Sequence, residues 1–265
     1  ADNAKISSGS INLDGKELVG LNESELRKIR WDSISIVFQG AMNAWNPVVK
    51  IGEQIREAIR EHYPSNSKSQ NTEKIESLFK IVGLDNSIMD RFPHELSGGM
   101  KQRAVIALAL SCDPKIVIAD EPTTALDVVI QDQILKEIKK VQELLGLSLI
   151  YISHDIAVIA EMTNQMAVMY AGRIVEIGPT SEVFSNPKHA YTRLLLESTP
   201  SVVGKKKKLR SLDGEPPSLI NEQPGCSFSP RCPDPTDNCK SGNSEMGLIE
   251  VANNHFADKC CVECG

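Results

Sequence analysis

Two carboxylates, Asp120 and Glu121, follow the unbroken apolar run Ile116, Val117, Ile118, Ala119 and precede Pro122. Such a run is expected of a parallel strand buried on both faces, and the carboxyl end of that kind of strand is where open α/β sheets keep their ligands. Acids placed there can serve Mg²⁺ and an attacking water. Upstream, Ser97, Gly98 and Gly99 open a helix carrying Val105, Ile106, Leu108 and Ala109. A small hydroxyl and two glycines leave backbone N–H groups bare for an anion, as a phosphate-binding helix start requires. Downstream, His154 ends another apolar strand, residues 147–152, where an imidazole is well placed to meet a phosphate. Sulfur forms the last group. Cys112 lies alone, while Cys226, Cys232, Cys239, Cys260, Cys261 and Cys264 crowd the end of the chain. In a reducing compartment that clustering argues for a metal before disulfides.

The elements that must position these residues follow from periodicity. Residues 10–17 read as a hairpin around Asp14-Gly15, residues 23–30 as a short helix and residues 34–38 as a strand. Ile51, Ile55, Ala58 and Ile59, then Ile75, Leu78, Phe79 and Val82, mark two helices separated by a polar loop over residues 64–71. Residues 128–145 form an amphipathic helix with Val129, Ile130, Ile134, Leu135, Ile138 and Val141 on its apolar side. Residues 166–170 and 173–176 read as a hairpin about Ala171-Gly172, and Gly178-Pro179 closes the core. The lysines at 205–208 form a solvated linker.

Composition limits the function classes. With 265 residues, 41% hydrophobic and 24% charged, the chain is ordinary globular protein, long enough for one large domain with an appendage. A net charge of -6 argues against a broad nucleic-acid surface. No apolar run reaches the roughly 20 residues of a membrane helix, so a membrane role must come through a partner. No charged-then-apolar leader opens the sequence, and cytoplasm is the expected compartment.

The segments LSGGMKQR, IVIADE and TALD, in that order, resemble the signature motif, Walker B and D-loop of ATP-binding cassette (ABC) ATPases. Gln39, after the strand ISIVFQ, matches that family's Q-loop, and His154 its H-loop. HAYTRLLLESTP, from His189, resembles the segment following the cassette in oligopeptide, dipeptide and nickel importer ATPases. The resemblance implies an α/β fold, a P-loop NTPase-like (RecA-like) core with a helical signature subdomain, N-terminally truncated, plus a small cysteine-rich extension. It divides the chain into a remnant of N-terminal strands and Q-loop (1–48), a helical subdomain (49–112), a core with Walker B, D-loop and H-loop (113–186) and the extension (187–265).

One expected motif is absent. The Walker A pattern G-x4-G-K-[ST] occurs nowhere in the 265 residues, and its nearest imitation, residues 9–17, reads as the hairpin turn. In this family that loop cradles the phosphates and binds Mg²⁺. Weak or no ATP hydrolysis by this chain alone is therefore expected, together with apolar surface left exposed where the missing strand and helix would pack.

By resemblance, Glu121 is the general base, Asp120 assists Mg²⁺, and His154 and Gln39 contact the γ-phosphate and its water. Ser97, Gly98, Gly99 and Gln102 of the signature serve ATP held by a second cassette, and Asp127 lies across that dimer interface. The implied partners are a second ABC ATPase subunit, two transmembrane permease subunits and an extracytoplasmic substrate-binding protein, at the cytoplasmic face of the membrane. GCxFxPRCP with a following cysteine resembles the extension in which four cysteines hold a [4Fe-4S] cluster. Cys226, Cys232 and Cys239 map directly, and the fourth ligand is Cys260 or Cys261, with Cys260 preferred. Four sulfurs suit structural Zn²⁺ as well, although C-x5-C-x6-C lacks the tight pairs of zinc ribbons. A soluble non-transport cassette ATPase and a non-enzymatic metal- or partner-binding fragment are the alternative functions.

Overall fold

The structure, a computed structural model, describes residues 4–124, 126–198, 214–220, 225–237, 239, 247–259 and 261. It divides into two compact units, Ala1–Ile152 and Ser153–Gly265.

The first unit opens with the expected hairpin, β1 (Asn12–Leu13) against β2 (Lys16–Glu17). Asp14 and Gly15 both take positive φ, 50° and 84°, the conformation that two-residue hairpin turns favour. Helix α1 (Glu23–Ile29) starts in a capping box between Asn22 and Glu25 and leads to β3 (Ile34–Val37). Two helices follow, α2 (Ile51–His62) and α3 (Lys68–Ile81). The loop between them is shorter than the polar run over 64–71 implied. Ser67 and Gln70 close a second capping box, so four residues of that run are already helical. Then come α4 (Gly98–Ala109), β4 (Ile116–Asp120), α5 (Val128–Leu145) and β5 (Ser148–Ile152).

Strands β3, β4 and β5 make a parallel sheet with β4 in the middle, pairing Val37 with Ala119 and Asp120 with Ile152. One face is packed: Val37, Val117 and Ala119 face Ile106 of α4, Leu110 at its C-terminal end, and Ile138 and Val141 of α5. The other is open. Ile150 and Ile152 are 51% and 48% exposed, and Ile36 belongs to the same alternating set. Burial of β4 on both faces, expected from its unbroken apolar run, is thus corrected to burial on one, while the expected exposed apolar surface is present. An apolar run reports what a strand can bury, not what covers it. Helix α5 has its predicted limits and buries Ile134, Leu135, Ile138 and Val141, but Val129, expected on the apolar side, is exposed in the first turn.

The second unit begins with α6 (Ile156–Met162), capped by Asp155, which accepts from the N–H groups of Ala157 and Val158. Strands β6 (Gln165–Tyr170) and β7 (Arg173–Pro179) form the predicted hairpin, with Ala171 and Gly172 at φ 49° and 78°. Strand β7 runs on through Gly178. After α7 (Thr180–Ser185) and α8 (Ala190–Ser198), the chain returns as β8 (Leu248–Ala252) and β9 (His255–Asp258). The sheet order is β6-β7-β9-β8, all antiparallel. A Cβ on Gly178 would stand 2.9 Å from Cδ2 of His255, so only glycine lets β9 close on β7 here. Among the described residues no helix is long and apolar enough to cross a membrane. The lysines at 205–208 lie outside the described residues.

Candidate nucleotide site and cysteine pocket

Strand β4 ends by turning its backbone sharply. Glu121 follows Asp120 with φ 44°, a left-handed conformation that costs a non-glycine residue on the order of 1–3 kcal/mol and gathers at functional sites. Its N–H is held by the carbonyl of Ile152 on β5 (2.9 Å). The side chain is held as well. Gln39, just past β3, donates from Nε2 to Oε2 of Glu121 (2.6 Å), and the Thr124 hydroxyl donates to the same oxygen (2.9 Å). Residues far apart in sequence, 39 and 121, therefore meet at the carboxyl edge of the sheet, because β3 and β4 are parallel neighbours.

Helix α4 presents the signature residues. Ser97 is its N-cap and accepts from the Met100 N–H (3.3 Å), leaving Gly98 at the exposed first turn. Its first turn rests on the start of α5: a Cβ on Gly99 would lie 2.9 Å from Cγ2 of Ile130, so any side chain there would force Ile130 to shift. Asp127 caps α5, accepting from the Ile130 N–H (3.0 Å). Arg103 pins the arrangement from behind. It pairs with Glu137 of α5 at 2.8 Å and donates to the carbonyls of Val82 and Gly83. Burial raises the Glu137 carboxyl above its ordinary range, with the Arg103 guanidinium pulling the other way. Gln102 is buried, unlike Ser97, Gly98 and Asp127, which are exposed. His154 belongs to the second unit, exposed and just ahead of the cap of α6.

The second unit holds the sulfur. Cys226 donates its N–H to the carbonyl of Cys239 (3.0 Å), and a tight turn through Ser229–Arg231 brings Cys232 round, its N–H on the carbonyl of Ser229 (3.3 Å). Cys226 and Cys239 are buried in a core built on Phe228, Tyr170 and Val183, with Cys232 and Cys261 packed against it. Burial raises the Cys232 thiol pKa, and the thiols of Cys261, Cys226 and Cys239 add to the rise, as expected if the four share one pocket. Among the described residues no three ligand side chains stand close enough to hold a single metal ion. Four cysteine sulfurs are the donor set that a thiolate-bound metal would use, two of them buried and two half-buried. Cys261 belongs to this pocket. Cys260, the preferred fourth ligand from sequence, lies outside the described residues, as does Cys264.

His189 lines the same pocket and was not singled out as a functional residue by sequence reading. Its Nδ1 accepts from the Tyr191 N–H (3.1 Å), and its fully buried Nε2 has no oxygen or nitrogen partner. Burial disfavours charge on this ring, but contacts with Cys226 and Cys261 outweigh burial and push the pKa up to about 9. Glu176 was missed too. Buried on β7, it accepts from the N–H groups of Lys188 (2.8 Å) and His189 (2.9 Å) at the start of α8 and meets Nε2 of His255 at 2.8 Å. A glutamate in an apolar strand was the one signal available.

Comparison with known proteins agrees with this geometry. The family model "ABC transporter" matches residues 1–124, and "Oligopeptide/dipeptide transporter, C-terminal region" matches residues 175–239. The dipeptide transport ATP-binding protein DppD of Bacillus subtilis is 44% identical over 232 residues, 87% of this chain and 69% of the relative. The chain is an ABC transporter ATP-binding protein of the oligopeptide/dipeptide group. A putative peptide import ATP-binding protein of Brucella ovis is 41% identical over 268 residues, 96% of this chain and 78% of the relative. The dimeric, post-hydrolysis structure of the cassette MJ0796 bound to ADP and Pi superposes with a TM-score of 0.59 at 28% identity, covering 67% of this chain and 75% of that one. The ABC ATPase fold expected from LSGGMKQR and IVIADE is thereby established for this chain.

Proposed function

We propose that this chain is the ATP-binding and hydrolysing subunit that energises import of peptides or nickel across a membrane, acting on its cytoplasmic face. It pairs with a second cassette, two transmembrane permease subunits and an extracytoplasmic binding protein. The observation that carries the reading is the meeting of Gln39 and Thr124 on one oxygen of Glu121 at the end of β4. A carboxylate gripped there by two neutral donors is aimed before any ligand arrives, as a general base for water requires. Asp120, beside it, assists Mg²⁺. His154 meets the γ-phosphate, Ser97, Gly98 and Gly99 face ATP held by the partner cassette, and buried Gln102 backs that helix start. Asp127 lies at the dimer interface.

The domain limits proposed are 1–48, 49–112, 113–186 and 187–265. No stretch of these residues has the Walker A spacing, so weak or no turnover is expected of the chain alone and its signature would serve the partner's ATP. In the extension, Cys226, Cys232, Cys239 and Cys261, or Cys260 in its place, would hold a [4Fe-4S] cluster, with Zn²⁺ as the competing metal. Such a group supplies a covalent staple for a segment poor in apolar residues. The test is reconstitution with the permease pair in vesicles. ATP-dependent uptake of a labelled peptide, lost in Glu121→Gln, is expected. Failure to copurify with any permease would favour a soluble cassette, and uptake indifferent to Glu121→Gln would leave only a binding fragment.

A further inference from the structure

Arg103 and Glu137 brace the helix that carries the signature residues against the helix that follows Asp127. Nη2 of Arg103 on α4 meets Oε1 of Glu137 on α5 at 2.8 Å, and Nη1 donates to the carbonyls of Val82 (3.4 Å) and Gly83 (3.1 Å), where α3 ends. Carbonyls at a helix C-terminus are its negative end, which suits a cation. A Cβ on Gly83 would stand 2.7 Å from Nη1, so a glycine at φ 67° is what lets the guanidinium come this close. Both charged side chains are mostly buried, 19% and 25% exposed, and the second carboxylate oxygen, Oε2, is buried with no hydrogen-bond partner among the described residues.

The brace works together with a second contact. Gly99 and Arg103 are four residues apart on α4 and share one face, and Ile130 and Glu137, seven apart, share one face of α5. Gly99 packs against Ile130 and Arg103 pairs with Glu137, which makes two points along one seam between the helices. Contact at Gly99 alone would let α4 slide or turn about its axis, because dispersion has no direction. The planar fork of a guanidinium does have one. Fixing both points sets the rotation of α4 on α5, and with it where Ser97, Gly98 and Gly99 stand relative to Asp127, the cap of α5.

We propose that Arg103 and Glu137 are the positioning pair of the signature, holding Ser97, Gly98 and Gly99 at the angle at which this chain serves ATP held by a second cassette. They act through the helix and not on the nucleotide. The inference rests on the reading of that helix start as an ATP site and adds to it two residues that lie behind the rim.

An ion pair that only joins two helices can be exchanged for apolar side chains with stability kept or raised, whereas a pair needed for its direction cannot be replaced in this way. The full chain is therefore compared as wild type, Glu137→Gln, Arg103→Met and the double variant Arg103→Met with Glu137→Leu. Amide exchange is read first, without nucleotide. The Lys101 N–H, bonded to the carbonyl of Ser97 at 2.9 Å, should exchange about tenfold faster in all three variants. Denaturant unfolding should find both single variants destabilised and the double variant back near wild type. In the assembled transporter, ATP turnover by the double variant should nevertheless stay about tenfold below wild type, with KM for ATP within about twofold, since the partner cassette holds that ATP. Wild-type turnover in the double variant would reduce the pair to a structural brace and overturn the proposal, and so would wild-type exchange at Lys101 in Glu137→Gln. Turnover indifferent to Glu121→Gln would instead bring down the ATP reading and the pair's part in it, while exchange at Lys101 separates that failure from failure of the brace. Should the double variant not fold, Glu137→Gln, which keeps the shape of the side chain, decides by its turnover and its exchange.

Discussion

The two chemical regions of this protein are built in opposite ways. The candidate nucleotide site is a rim of exposed and half-buried side chains on short stretches of sequence, Ser97 to Gly99, Asp120, Glu121, Thr124 and Asp127, set on the ends of β4, α4 and α5. The cysteine pocket is a buried core whose members come from β6, β7, α7, the start of α8 and two separate pieces of the tail. A rim waits for ligands from outside, and its residues cost little when unoccupied. A buried polar pocket must be satisfied from within, so its residues depend on one another. Mutations in the first should therefore change chemistry with little effect on folding, and mutations in the second should do the reverse.

The largest effect expected is on chemistry. In the assembled transporter, Glu121→Gln keeps an acceptor for Gln39 and Thr124 but cannot take a proton from water, so turnover should fall about 10²- to 10⁴-fold. The melting temperature should scarcely move. A drop of several degrees accompanying that loss would show that the rim is structural after all.

The pocket should answer in the other currency. Phe228 is 1% exposed and makes ring contacts with Tyr170, Tyr191 and His189. Phe228→Ala should destabilise the second unit by about 3–5 kcal/mol, read by denaturant unfolding with a probe in residues 153–265. Glu176→Ala strands the N–H groups of Lys188 and His189 and leaves His255 without its partner, and about 3–5 kcal/mol is again expected. Between these and the surface lies Ser97→Ala. Loss of its cap on the Met100 N–H should cost about 0.5–2 kcal/mol.

This division also explains what could be read in advance. Gln39, the signature and the carboxylate pair were legible because each lies in a short motif bound to one element boundary, and a helix cap or strand end can be recognised locally. Hairpins at Asp14-Gly15 and Ala171-Gly172 were legible for the same reason. His189, Glu176 and His255 were not. Their meaning comes from the pairing of β7 with β9, which sets Glu176 opposite Ala257 across 81 positions of chain, and nothing local announces a return strand in a polar tail. The one-sided burial of β4 was hidden differently: its residues are equally apolar on both faces, and only the alternation of packed Val117 and Ala119 with half-open Ile116 and Ile118 separates them.

That open face supplies the smallest prediction and the sharpest check on the contrast. Ile150 lies on it at 51% exposure, on a strand whose neighbour Tyr151 is packed. Ile150→Thr keeps a β-branched side chain and so keeps the strand preference, while removing apolar surface that already touches water. The cost in stability should stay within about 0.5 kcal/mol, as for other surface positions, and solubility should rise because an apolar patch shrinks. Val168→Thr, at a position 5% exposed in the cysteine pocket, buries a hydroxyl and should cost about 1–3 kcal/mol. If Ile150→Thr instead cost as much as Val168→Thr, the sheet face would have to be covered in solution, and the first unit would owe its stability to a contact as hidden as those of the second.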